Sequence, residues 1–129
     1  MATRSETTVL VVDDNPAHRY AIVRELSRAG FRLVEARTGE ETFRLAAQAS
    51  AIVLHPCRPD MARRDAPRRL RPSPPTAATP IVHHSSIYIT EQDRLESERS
   101  GADMFLASPL PPGVLAEALD RLLDRPAAG

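Results

Sequence analysis

The sequence predicts an α/β fold, a parallel sheet doubly wound with helices on both faces. Three observations carry that expectation. The run Val9, Leu10, Val11 and Val12 is continuous and mostly β-branched, which suits a strand buried on both faces of a parallel sheet. It stops abruptly on Asp13 and Asp14, and Asn15 and Pro16 then supply the residues that open a helix. Beyond that point short apolar runs alternate with helical spacings, the pattern of parallel strands joined by crossover helices.

Each element can be justified in turn. Pro16 to Ala29 is the first helix, with Ile22, Leu26 and Ala29 on one face and Gly30 as the stop just beyond. Phe31 to Ala36 sets apolar Phe31, Leu33 and Val34 against charged Arg32 and Glu35, as a strand near the sheet edge does. Thr38 and Glu41 have the spacing of a capping box, and the second helix carries a thin stripe of Leu45, Ala46 and Ala49 that ends near Ser50. Ala51 to Leu54 is the third strand, about Thr79 to His84 the fourth, and Met104 to Ala107 the fifth. A helix from Thr90 to Ser100 closes on Gly101. The last helix starts after Pro111 and Pro112, places Leu115, Ala118, Leu119 and Leu122 on one face, and ends before Pro126. Between strands three and four stand prolines 56, 59, 67, 72, 74 and 75, so a third helix is expected to be distorted or missing, since Pro67 interrupts the hydrogen-bond ladder. Five such units favour the flavodoxin-like strand order 2-1-3-4-5, whose switch point lies between strands one and three. That order brings Asp13, Asp14 and His55 to one crevice.

Composition narrows the function. With 129 residues the chain suits one domain, residues 1–129, with 1–6 and 126–129 as flexible ends. Its 17 basic and 17 acidic residues balance to a formal charge of +0, so nothing global points to nucleic acid or an anionic surface. Every basic residue is Arg; lysine is absent. A single cysteine, Cys57, excludes an internal disulfide and fits a reducing cytosol. No apolar run approaches the roughly 20 residues of a spanning helix, and MATRSETT lacks the apolar core of a secretion signal. The expectation is a cytoplasmic protein without membrane contact.

Several side chains are candidates for chemistry. Asp13 and Asp14 at the carboxyl end of a strand make a hard-oxygen pocket suited to a divalent cation such as Mg²⁺; an Asp-Asn turn cap is the alternative. His55 and His84 together with the two carboxylates would form a transition-metal cluster favouring zinc. Only one of His83 and His84 can face it, because neighbours in a strand point oppositely. Arg58, Arg63, Arg64, Arg68, Arg69 and Arg71 offer a surface to an anionic partner, but the segment lacks the aromatics that stack on bases, which argues against nucleic acid.

The run VLVVDDNPAHRYAIVRELSRAGFRLVEARTGEETFRLAA resembles the first half of a bacterial response-regulator receiver domain, and GADMFLASPLPPGVLAEALDRLL resembles its end. Between them the register is kept through Pro59, Asp60 and Met61 and through the strand beginning at Ile81, so the resemblance covers nearly the whole chain. It implies two-component phosphorelay signalling, with a protein partner such as a histidine kinase or a fused output domain. The departures are informative. The register places His55 at the phosphoacceptor aspartate and Ser108, ahead of Pro109, at the lysine that neutralises the phosphoryl group. Retained are Asp13 and Asp14 for the metal, Ser85 at the hydroxyl that contacts the phosphoryl oxygens, and Phe105 at the switch aromatic.

Phosphoryl transfer needs an in-line nucleophile and positive charge against the anionic oxygens. The resemblance with these losses implies a degenerate receiver, not an enzyme. It would need no cofactor, bind Mg²⁺ weakly at best, and act through protein contacts. A homodimer could use the face of the helix over 90–100, strand five and the last helix, with Leu95, Leu110 and Val114 as contacts. The alternatives are a phospho-switch with an unusual acceptor and a metal- or anion-binding module.

Overall fold

The computed structural model describes residues 3–55, 70–85, 91–107 and 110–124. In chain order these form β1 (Thr8–Val12), α1 (Pro16–Arg28), β2 (Arg32–Ala36), α2 (Gly39–Leu45), β3 (Ala51–Leu54), β4 (Ile81–Ser85), α3 (Glu91–Ser100), β5 (Met104–Ala107) and α4 (Val114–Leu123). The five strands build one sheet in the order β2-β1-β3-β4-β5, and every neighbouring pair is parallel, as the sequence predicts.

Side chains alternate across a strand, and both sides of the central strands are covered, which is why their sequences read as unbroken apolar runs. On one face Val9, Val11, Val53 and Val82 pack against Ile22 and Leu26 of α1 and Leu115, Leu119 and Leu122 of α4. On the other, Leu10, Val12, Ile52, Leu54 and Ile81 pack with Ala46 and Leu70, flanked by half-buried Phe43 and Leu45. The edge strand β2 keeps its charged positions, Arg32 and Glu35, in solvent.

Local signals fix the helix ends. Asn15 Oδ1 accepts the His18 N–H at 2.9 Å, with Pro16 at the first helical position. At the far end Gly30 has φ of +107°, its N–H bonds to Ser27 O at 3.0 Å, and Phe31 N–H bonds to Leu26 O at 3.1 Å. That pair of bonds satisfies the last carbonyls of α1 and needs the left-handed residue that glycine supplies. Thr38 Oγ1 caps α2 by accepting Glu41 N–H at 3.1 Å, while the Glu41 carboxylate reaches back to the Arg37 N–H at 3.3 Å, one residue earlier than a full capping box requires. After Leu45 the chain tightens into a 3₁₀ turn, Ala46–Gln48, rather than continuing as α-helix.

Two expectations change. Where a loose amino-terminal end is expected, Arg4–Glu6 form a 3₁₀ turn, and Arg4 donates to Ala29 O at 2.9 Å and to Asp120 Oδ1 at 3.2 Å while lying over the Phe31 ring. A guanidinium with three kinds of partner anchors a short segment that has no apolar side chain to bury. Arg71, expected among the anion-facing arginines, is turned inward. It donates to Gly101 O at 2.9 Å, Thr79 O at 2.7 Å, Ala77 O at 3.1 Å and Asp103 Oδ2 at 2.7 Å, all groups of its own chain. Strand β4 consequently begins at Ile81, because Thr79 belongs to the turn that Arg71 gathers. The expected third-helix region 56–69, with its other five arginines, and the end 125–129 lie outside the described residues.

Candidate functional site

The site is built at the carboxyl ends of β1, β3 and β4. Asp13 follows β1 and is fully buried. Its Oδ1 accepts the Asn15 N–H at 2.9 Å, a tight turn of the kind aspartate makes with the backbone two residues on. Arg19 supports the same turn, donating to Asp13 O at 2.7 Å and to Glu35 Oε1 of β2 at 2.9 Å. This turn starts α1 so that His18, in its first helical turn, comes back over the end of β1. His18 Nδ1 hydrogen-bonds Asp13 Oδ2.

His18 is also the centre of an imidazole group. Its ring meets that of His55 edge-on, with centroids 5.1 Å apart at 69°, and stacks on His84 at 5.6 Å and 15°. His55 follows β3, where its N–H bonds to Val12 O at 2.9 Å, so two adjacent strand ends carry the acid and the imidazole side by side. Burial pushes the His84 imidazolium down to a pKa of about 4, helped by the positive charge of His18 and His55 when they are protonated, while Asp13 acts weakly in the opposite sense. His84 is therefore neutral at physiological pH. A pocket of about 160 Å³ adjoins the group, lined by His18, Ile22, Glu25, His84, Leu110 and Leu115.

The expected cluster of His55, His84, Asp13 and Asp14 is thus corrected. The donor atoms that converge are those of Asp13, His18 and His55, all within 4.8 Å of one another. Asp14 is exposed, and His84 stands behind His18. His83 and His84 are both buried, and it is His84 that meets the group. Sequence reasoning missed His18 because a single histidine on a helix is unremarkable by pattern. The available signal was its place three residues after the Asn15 cap, which returns a side chain toward the acid that opens the turn.

Of the other expected positions, Ser85 is buried at the end of β4, and Phe105 is half-buried in β5, where it pairs in register with His83. Ser108 lies outside the described residues. No helix among the described residues is long and apolar enough to cross a membrane.

This arrangement, a 2-1-3-4-5 parallel sheet with an acidic turn after β1 and a crevice at the strand ends, is the fold of response-regulator receiver domains. The particular similarities are these. The chain matches the signal receiver domain of a signal transduction histidine kinase from Syntrophus aciditrophicus at 25% identity, covering 95% of this chain and 96% of that one, with a TM-score of 0.80. It matches the Vibrio cholerae chemotaxis protein CheY4 at 25% identity over 90% and 98% of the two chains, with a TM-score of 0.79. It matches the receiver domain of the sensor histidine kinase PA1611 from Pseudomonas aeruginosa, a structure with magnesium coordinated in the active-site cleft, at 24% identity over 92% and 98%, with a TM-score of 0.80. No family model matches the chain, and no curated protein does.

The donor set of this chain does not fit magnesium. Mg²⁺ takes oxygen ligands in octahedral geometry. Here the donors that converge are one carboxylate, Asp13, and two imidazoles, His18 and His55.

Proposed function

We propose that the chain is a degenerate receiver domain of two-component signalling, acting in the cytoplasm without phosphorylation and through protein contacts. The observation that carries this reading is His55. A receiver fold has an imidazole at the end of β3, packed edge-on against His18, where phosphoryl transfer to an aspartate would need a carboxylate. The sequence adds that no lysine exists anywhere to offset phosphoryl oxygens, with Ser108 at the position the family resemblance gives it. In this reading Ser85 and Phe105 keep the positions of the phosphate-sensing pair without an input to sense.

The partner is a histidine kinase, an output domain or a second copy, docking on the face of α3, β5 and α4 around Leu95, Leu110 and Val114. Leu95 is the one aliphatic side chain of α3 and is half-buried, while Leu110 packs partly against the core beside the pocket. The chain carries no catalytic step in this reading.

The test is incubation with acetyl phosphate and Mg²⁺ followed by intact-mass measurement at neutral pH, where both acyl phosphate and phosphohistidine survive. No mass gain is expected. A stable gain of one phosphoryl group mapped to the crevice overturns the reading and favours a switch with an unusual acceptor.

A further inference from the structure

We propose that Asp13, His18 and His55 bind a single transition-metal ion, Zn²⁺ by the character of its donors, with the remaining coordination position open to water or an exogenous ligand. The inference does not rest on the signalling assignment. It rests on three donors from three places in the fold, the end of β1, the first turn of α1 and the end of β3, that meet with their ligand atoms within 4.8 Å.

The chemistry of the set selects the metal. The two imidazoles are borderline donors that, beside one carboxylate oxygen, suit zinc and its transition-series neighbours, whereas an alkaline-earth ion calls for oxygen throughout. Three protein ligands plus one open position is the arrangement of an accessible zinc centre rather than a closed structural one.

The geometry needs only a local adjustment. Tetrahedral zinc with bonds of about 2.0 to 2.1 Å spaces its donors roughly 3.3 Å apart, so no pair of ligand atoms has to close by more than about 1.5 Å, while the hydrogen-bonded Asp13 Oδ2 and His18 Nδ1 must part to admit the ion. Asp13 is held from behind, its Oδ1 on the Asn15 N–H at 2.9 Å and its backbone carbonyl on Arg19 at 2.7 Å. Such supporting bonds orient a ligating carboxylate and keep its other oxygen directed at the metal. His18 supplies the movement, since its side chain is 20% exposed and lies at the helix start rather than in the packed core. The ion takes the place of the hydrogen bond between Asp13 Oδ2 and His18 Nδ1, and His18 then carries its proton on the other ring nitrogen. His84 stacks on one face of the His18 ring. Exposed Asp14, next along the chain, adds negative charge at the rim.

The experiment uses the full chain freed of any histidine tag. Calorimetric titration with Zn²⁺ is expected to give one ion per chain, bound at least about tenfold more tightly than Mg²⁺. His18→Gln and His55→Gln are each expected to weaken Zn²⁺ binding on the order of tenfold or more, and Asp14→Asn to change it far less. Circular dichroism checks that each variant is folded. Co²⁺ added to the wild-type chain tests the same site without a substitution: intense visible bands of a four- or five-coordinate ion are expected. Zn²⁺ held no more tightly than Mg²⁺, undiminished binding by the folded His18→Gln and His55→Gln variants, or only the pale spectrum of six-coordinate Co²⁺ overturns the proposal.

Discussion

Arg71 is joined to Asp103 through a single oxygen that also holds β4 in place: Asp103 Oδ2 accepts Arg71 Nη2 at 2.7 Å and the Ile81 N–H at 2.8 Å. Around this point the guanidinium gathers the carbonyls of Thr79 and Gly101, so the approach to β4 and the approach to β5 are tied by one planar fork. Both side chains are largely shielded from solvent.

Replacing Arg71 with Ala should therefore cost about 3 kcal/mol of unfolding free energy, because a half-buried carboxylate and several carbonyls lose their donor together. Arg71→Lys should recover less than half, since an ammonium cannot span the fork. Urea denaturation of the two variants beside the wild type checks both values. A loss below about 0.5 kcal/mol for Arg71→Ala would mean that water replaces the fork at no cost.

The metal-free protein should lose stability between about pH 6.5 and pH 4. His84 has its pKa lowered in the folded state to about 4, so across that window the unfolded chain binds more protons and stability falls as pH falls. The expected loss from this residue is on the order of 2 kcal/mol, allowing for solvent screening. Urea midpoints measured at several pH values should show the slope, and His84→Gln should flatten it.

His55→Asp alone should not create a phosphorylatable domain. It adds a third carboxylate to Asp13 and Asp14 with no lysine to offset it, so the variant should also be less stable than the wild type near neutral pH. His55→Asp with Ser108→Lys should recover that stability and gain a phosphoryl group from acetyl phosphate. Intact mass and thermal unfolding of the single and double variants decide it.

The proposed docking face is best probed at Leu95, which is half-buried on α3. Leu95→Glu should leave the melting temperature within a few degrees and shift a concentrated wild-type dimer, or a co-purified partner, toward the free monomer in hydrodynamic sizing. Leu110→Glu is expected to do the same at a larger cost in stability, since Leu110 also packs against the core.

Much of this architecture was legible in the sequence, and the reasons are local. Val9 to Val12 announces a strand buried on both faces and Ala51 to Leu54 a further strand, because no polar residue interrupts either run. Asn15, Pro16 and Gly30 bounded α1 because capping and left-handed turning depend on a few neighbouring residues. His18 was not legible, since its role depends on an aspartate turn folding the helix start back over β1. Arg71 was hidden by its neighbours. In a segment so rich in arginine, composition suggests a charged surface, and only the path of the chain toward Gly101 and Asp103 shows one guanidinium turned inward.

The strand order also gives the domain a direction of assembly. β2, β1 and β3, the first three positions across the sheet, all come from residues 8–54, and β4 and β5 then add in sequence along one edge. A chain emerging from the ribosome meets each strand partner in the order in which it is made, so half the sheet can pair while the remainder is still being synthesised. The face of Val9, Val11 and Val53 nevertheless waits for Leu115, Leu119 and Leu122. Until α4 is released only α1, through Ile22 and Leu26, covers this aliphatic face of the nascent sheet, and α4 is the step that ends the exposure of the rest to chaperones and to other chains.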